Sequence, residues 1–166
     1  MSTSQNLLLA GAAITTALMA GLFYAYSCSV NPGLNRLSDT AYVTAMQSIN
    51  RAIQNPIFFI SFFGAPILLL INTWVHYSQP LSSRFWLLLG ATIIYLVGVV
   101  GVTILGNIPV NEGLESFDVQ TASLEEIAAQ RATFESPWNK LHTIRTLASI
   151  LALVLVITAC LSPREE

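Results

Sequence analysis

Trp138, His142 and Arg145 stand four and three residues apart in the chain. On a helix that spacing lines an indole, an imidazole and a guanidinium along one stripe. The trio combines a flat platform, a group that changes charge near neutral pH and a fixed cation. Amides recur in similar isolation: Asn31, Gln47 with Asn50, Asn55, and both ends of the run Asn107-Ile108-Pro109-Val110-Asn111. Such groups either bind a polar ligand or stabilise charge on a reacting one.

The elements that must position them follow from composition. The 166 residues are 54% apolar and 10% charged, with a mean hydropathy of +0.63, against roughly 25% charged in an ordinary soluble domain. A soluble globule and a disordered chain are both excluded. Seven basic residues and a net charge of -2 leave no polycationic face for nucleic acid. No Asp, Glu, Lys or Arg precedes Arg36, and none lies between Arg51 and Arg84, between Arg84 and Glu112, or between Arg145 and Arg164. Each gap holds an apolar stretch near the ~20 residues that cross a bilayer. The pattern predicts an all-α protein: one integral-membrane domain over residues 1–166, an up-down bundle of four transmembrane helices at Leu7–Val30, Ile57–His76, Phe85–Gly106 and Leu141–Leu161. The first span lacks the basic leader of a signal peptide and is expected to be retained.

The connections carry their own signals. Asn31-Pro32-Gly33 reads as a helix stop. Tyr42, Ala45, Met46, Ile49 and Ile53 then make one apolar stripe on a short amphipathic helix, with Ser38 or Asp39 as N-cap and Asn55-Pro56 as its end. Tyr77 to Arg84 is short, so the second and third spans are antiparallel neighbours. The long third connection, Asn107 to Lys140, holds six of the nine acidic residues. Its Ser123-Leu124-Glu125-Glu126 predicts a capping box opening a second short helix that ends near Ser136-Pro137. Arg36, Arg51, Arg131, Lys140 and Arg145 on one side, against Arg84 and Arg164 on the other, put the first and third connections in the cytoplasm. Cys28 and Cys160 fall at opposite membrane faces, too far apart for a disulfide, and read as small buried hydrophobes.

In such a bundle the end of the first span, the start of the second, the end of the third and the start of the fourth share one face, and the isolated polar residues all map there. Taken singly, Asn31 and Asn55 read as turn and cap residues, Trp138 as an interfacial anchor and Arg145 as a snorkelling cation. A histidine beside an arginine at the start of a span gains little from lipid, and with Asn107 and Asn111 on the same side it reads as functional. His76, next to Trp74 and Tyr77 on the other face, reads as an interfacial belt residue. Two histidines on opposite faces, without paired carboxylates or a CxxC motif in the spans, argue against a multi-histidine copper or di-iron centre. One axial haem ligand from His142 stays open. No ionisable carboxylate, lysine or arginine lies mid-span, which argues against an ion or proton path.

The chain resembles the DUF1772 integral-membrane family, which includes the anthrone oxygenases of aromatic polyketide pathways. The resemblance rests on four spans in a chain of this length, on Met46-Gln47-Ser48-Ile49-Asn50, on Gly106 to Asn111 after the third span, and on Arg131-x-x-Phe134 followed by Trp138-x-x-x-His142-x-x-Arg145. It implies oxidation of an anthrone's activated methylene by O2 to a quinone, without a prosthetic group, on a small apolar aromatic substrate. In that scheme His142 is the base and Arg145 with Asn107 or Asn111 the oxyanion donors. Trp138, Phe134 and Tyr24 or Tyr26 are then the ring-stacking walls, with Asn50 a further substrate contact. The reading from another class keeps the same polar cluster but makes it a non-catalytic membrane binding or assembly site.

Overall fold

The computed structural model describes residues 3–77 and 82–162. Five helices carry it: α1 (Thr3–Leu34), α2 (Asp39–Ala52), α3 (Pro56–Val75), α4 (Ser83–Glu115) and α5 (Leu124–Leu161). All but α2 are long and apolar enough to span a membrane, as the charge-free gaps predict. The four long helices run up and down in the ring order α1, α3, α4, α5, with α5 returning to pack on α1. Their shared core is Ala12, Met19, Phe23, Phe62, Ala65, Leu69, Ala91, Tyr95, Val99, Ala152 and Val156. Large apolar side chains such as Leu18, Ile67, Val97 and Leu151 face outward, toward acyl chains.

The short amphipathic helix forms where its stripe predicts. Ser38 Oγ accepts from the Ala41 N–H, so Ser38 is the cap and Asp39 the first helical residue. Asn55 Oδ1 accepts from the Phe58 N–H at 3.0 Å and starts α3, with Pro56 at its first position. Tyr42, Val43 and Met46 pack with Leu114, Ile127, Phe134 and Trp138 into a second core that caps one end of the bundle. Arg131 ties this cap together: it donates to Asp39 at 2.9 Å, to Glu135 at 2.8 Å and to the Leu37 carbonyl at 3.0 Å, and lies 4.3 Å over the Tyr42 ring. Burial, helped by the Glu135 carboxylate, pushes the Tyr42 hydroxyl up to about 12, so the ring beneath Arg131 stays neutral.

Three expectations are corrected. The capping box at Ser123 is present, with Ser123 Oγ accepting from the Glu126 N–H. The helix it opens does not stop near Pro137, however. It runs unbroken into the fourth span, because Phe134 and Trp138, on either side of Pro137, are both buried against the cap. That packing offsets the roughly 3 kcal/mol a mid-helix proline costs. Second, α1 outlasts the expected span end at Val30: Asn31-Pro32-Gly33 forms its last turn and the helix stops at Leu34, while α4 passes Pro109 altogether. A proline ring clashes with the carbonyl four residues earlier, here Cys28 and Leu105. Both carbonyls lie inside widened turns closed by i→i+5 bonds, Tyr26–Val30 and Thr103–Asn107, which make room for the ring. Third, Cys28 and Cys160 are free but exposed on the outer surface of the bundle rather than buried.

Pro66 in α3 is accommodated differently. It leaves the Phe62 carbonyl without its helical donor, and the Tyr95 hydroxyl of α4 donates to that carbonyl at 3.4 Å. At the far end of the bundle Arg84 donates to the carbonyls of Ala159 and Ser162, closing the C-terminus of α5. His76 also stands at that end, its Nδ1 donating to the Asn72 carbonyl at 2.9 Å.

Candidate functional site

Beneath the α2 cap, a cavity of about 480 Å³ lies between α1, α3, α4 and α5. That volume is within the roughly 300–1,000 Å³ of small-molecule sites. Asn31, Gln47 and Asn55 lie outside the cavity, bonded to Asn139, to the Leu114 carbonyl and to the Phe58 N–H. Of the nine residues given a catalytic or substrate-binding role, seven line it: Tyr26, Asn50, Asn107, Asn111, Trp138, His142 and Arg145. Two do not. Tyr24 points outward, 59% exposed, because it sits on the opposite side of α1 from Phe23 and Tyr26. Phe134 is buried one turn above Trp138, against Tyr42, and belongs to the cap core.

His142 is the centre of the arrangement and is 2% exposed. Its Nε2 lies 3.2 Å from the Phe23 carbonyl, 3.0 Å from Ser27 Oγ and 3.4 Å from Thr146 Oγ1. A carbonyl oxygen only accepts, so Nε2 carries the proton. Arg145 Nη2 lies 3.4 Å from Nδ1 and only donates, so Nδ1 presents its lone pair. The two partners therefore fix one neutral tautomer. The ring stacks at 9° on Trp138, with centroids 5.0 Å apart, and meets Phe23 edge-on at 5.9 Å. Tyr26 packs against both, 5.7 Å from His142 and 6.0 Å from Trp138.

Arg145 is 8% exposed and, among the described residues, has no carboxylate partner. It donates to Thr103 Oγ1 at 3.3 Å and sits 4.8 Å over the Phe23 ring and 5.8 Å over the Trp138 ring. Its Nε has no partner among the described residues. Asn107 is 1% exposed and neither its Nδ2 nor its Oδ1 is bonded to any described residue; the Nδ2 of buried Asn50 is in the same condition. A buried polar group without a partner costs about 1–3 kcal/mol, and four such atoms gather at this one cavity, which makes it the candidate site. Asn111 differs. Its Oδ1 accepts the Trp138 indole N–H at 2.9 Å, which fixes the platform.

The apolar walls are Leu22, Phe58, Phe59, Phe62 and Phe63, with Ile104 and Ile108 opposite, while Gln54, Glu112 and the Arg51–Glu115 pair line the end nearest α2. Phe58 and Phe62 stack at 5.2 Å and 23°. Sequence reasoning missed these walls and also Phe23, Ser27, Thr103 and Thr146. The Phe58–Phe62 spacing of four was a readable sign of a shared face; the Ser27 and Thr103 contacts depend on the wide turns and had no such sign. Among the described residues no three His, Cys, Asp or Glu side chains gather.

The site can therefore hold a flat apolar body between aromatic walls, offer donors to an oxygen atom at its inner end, and present one basic nitrogen beside them. Comparison with curated proteins and with solved structures returns no match. The family model described as anthrone oxygenase matches residues 56–155, three-fifths of the chain, which holds α3, α4, most of α5, and with them Asn107, Asn111, Trp138, His142 and Arg145. By that match the chain belongs to the anthrone oxygenase family.

Proposed function

We propose that the protein oxidises an activated methylene, flanked by aromatic rings and conjugated to a ketone, with O2 to give a quinone. Asn107 carries this reading: a fully buried amide with no partner among the described residues, lining a cavity with aromatic walls beside the His142–Arg145 pair. His142 Nδ1 takes a proton from the methylene, and the electron pair delocalises onto the ketone oxygen as a phenolate-like oxyanion. Arg145 and Asn107 Nδ2 donate to that oxygen. The electron-rich carbon adds O2, and the resulting hydroperoxide, once protonated, loses water to leave a second carbonyl. One O2 is consumed, one water is released and one CH2 becomes C=O. The scheme uses no prosthetic group.

The Nη2–Nδ1 distance of 3.4 Å is at the long limit of a hydrogen bond, so the lone pair is aimed without being saturated. Trp138 and Tyr26 supply the stacking surface. The surplus of Arg36, Arg51, Arg131 and Lys140 over Arg84 and Arg164 supports a cytoplasmic position for the site end, even with Arg145 left out of the count. The test supplies emodin anthrone in air to membranes with and without the protein. Quinone formation faster than in the control is expected; equal rates make the cavity a binding site and overturn the reaction.

A further inference from the structure

The cavity has two borders of different character. Toward the α2 cap, Arg51 of α2 pairs with Glu115 of α4 at 3.0 Å across the rim. Toward the side, between α3 and α4, its lining consists of residues that also form the outer surface of the bundle. Phe59 is 41% exposed, Phe63 46%, Ile104 48% and Ile108 42%. All four lie in helices long and apolar enough to span a membrane, so the part of each that faces out of the bundle is apolar surface of the kind that meets lipid.

The helix packing accounts for the opening. Among the described residues α3 packs on α4 along Ser83–Tyr95 and makes no comparable packing with Leu96–Glu115. The Tyr95–Phe62 hydrogen bond marks the end of that contact. Beyond it, toward the site, α3 carries Phe58 and Phe59, with Phe63 level with the bond itself, and α4 carries its wide turns. The other three sides of the ring are held along the site end by α5 against α1 and α4, and by α1 against α3. One seam of four is therefore open, and it lies beside Asn107 and His142.

We propose that the site is loaded sideways from the bilayer, through this seam, by a flat apolar ring system that is already dissolved in the lipid. Phe59 and Phe63, stacked at 6.0 Å and 23°, form one jamb of the passage and Ile104 with Ile108 the other. The ketone end leads toward the buried amide and guanidinium, where the inward donors of the passage lie. The choice of ring system rests on the proposed function; the route itself rests on the packing alone.

The test measures association of 1,8-dihydroxyanthraquinone with the full chain in phosphatidylcholine vesicles by stopped-flow fluorescence, without turnover. Ile104→Trp, which narrows the passage, is expected to slow association about tenfold while shifting the equilibrium constant less than about twofold, because a gate acts on both rates. Phe59→Ala, which only removes bulk, should speed association severalfold and guards against a folding defect in the first variant. Unchanged rates in both variants, with Arg51→Ala instead speeding association, would place the passage at the aqueous rim and overturn the proposal. If the unaltered chain does not bind the quinone, the route and the ligand class fall together. Slowed association with no anthrone oxidation would keep the route and remove only the reaction.

Discussion

Arg145 Nη2 lies 3.4 Å from His142 Nδ1, and the same guanidinium lies over Phe23, whose carbonyl accepts the proton of His142 Nε2. The two side chains are one turn apart on α5 and hold each other in a single chemical form. A buried arginine without a carboxylate is costly to the fold, since even buried ion pairs are often replaced by apolar residues of similar volume with a gain of about 1–4 kcal/mol, and here no pairing offsets the desolvation. Arg145→Met is therefore expected to raise the unfolding midpoint in detergent while lowering turnover of emodin anthrone by at least about tenfold. Parallel thermal melts and initial rates check both signs.

Asn107 makes the same opposition sharper, since its amide has no partner among the described residues to lose. Asn107→Leu should leave the melting midpoint unchanged or higher and reduce kcat about 10²–10³-fold, as for removal of one oxyanion donor. A variant that keeps its turnover would remove Asn107 from the site.

The four spans, the caps at Ser38, Asn55 and Ser123, and the gathering of Asn50, Asn107, Asn111, Trp138, His142 and Arg145 were legible in the residues. Charge-free gaps set by bilayer thickness fix which helix ends meet, and a histidine beside an arginine at the head of a span is costly to keep in lipid unless it faces protein or a ligand. What was not legible depends on local departures from the regular helix. The widened turns ahead of Pro32 and Pro109 let α1 and α4 run on. The wide turn in α4 also holds Thr103 and Asn107, both of which line the cavity. Phe134 shares the i, i+4 stripe of Trp138, but the cap helix covers that turn, so the same spacing gives core above and cavity wall below. Pro137 misled because a proline's cost is local while the burial that outweighs it is tertiary.

Tyr95 satisfies the carbonyl that Pro66 leaves without a donor. Tyr95→Phe should destabilise the protein by about 1 kcal/mol, the lower end for an orphaned buried carbonyl because the bond is long. Pro66→Ala in the same background restores a helical N–H to Phe62 and should return most of the loss. Denaturation of the single and double variants measures this coupling directly.

α4 and α5 approach closely at Gly98: a β-carbon there would stand 2.5 Å from Ala148 Cβ. Both atoms are fixed to backbone, so Gly98→Ala forces the helices apart and should cost about 1–3 kcal/mol. Ala148→Gly should rescue it, a pairing that unfolding midpoints of the two single variants and the double variant will show.

The most direct measurement supplies 18O2 and emodin anthrone to membranes carrying the unaltered chain or His142→Ala, and follows both the rate and the label in the quinone. The base at His142 predicts one 18O atom per quinone and a rate at least about 10²-fold lower in the variant. Label incorporated equally fast by His142→Ala, or no faster than by membranes lacking the protein, would contradict it.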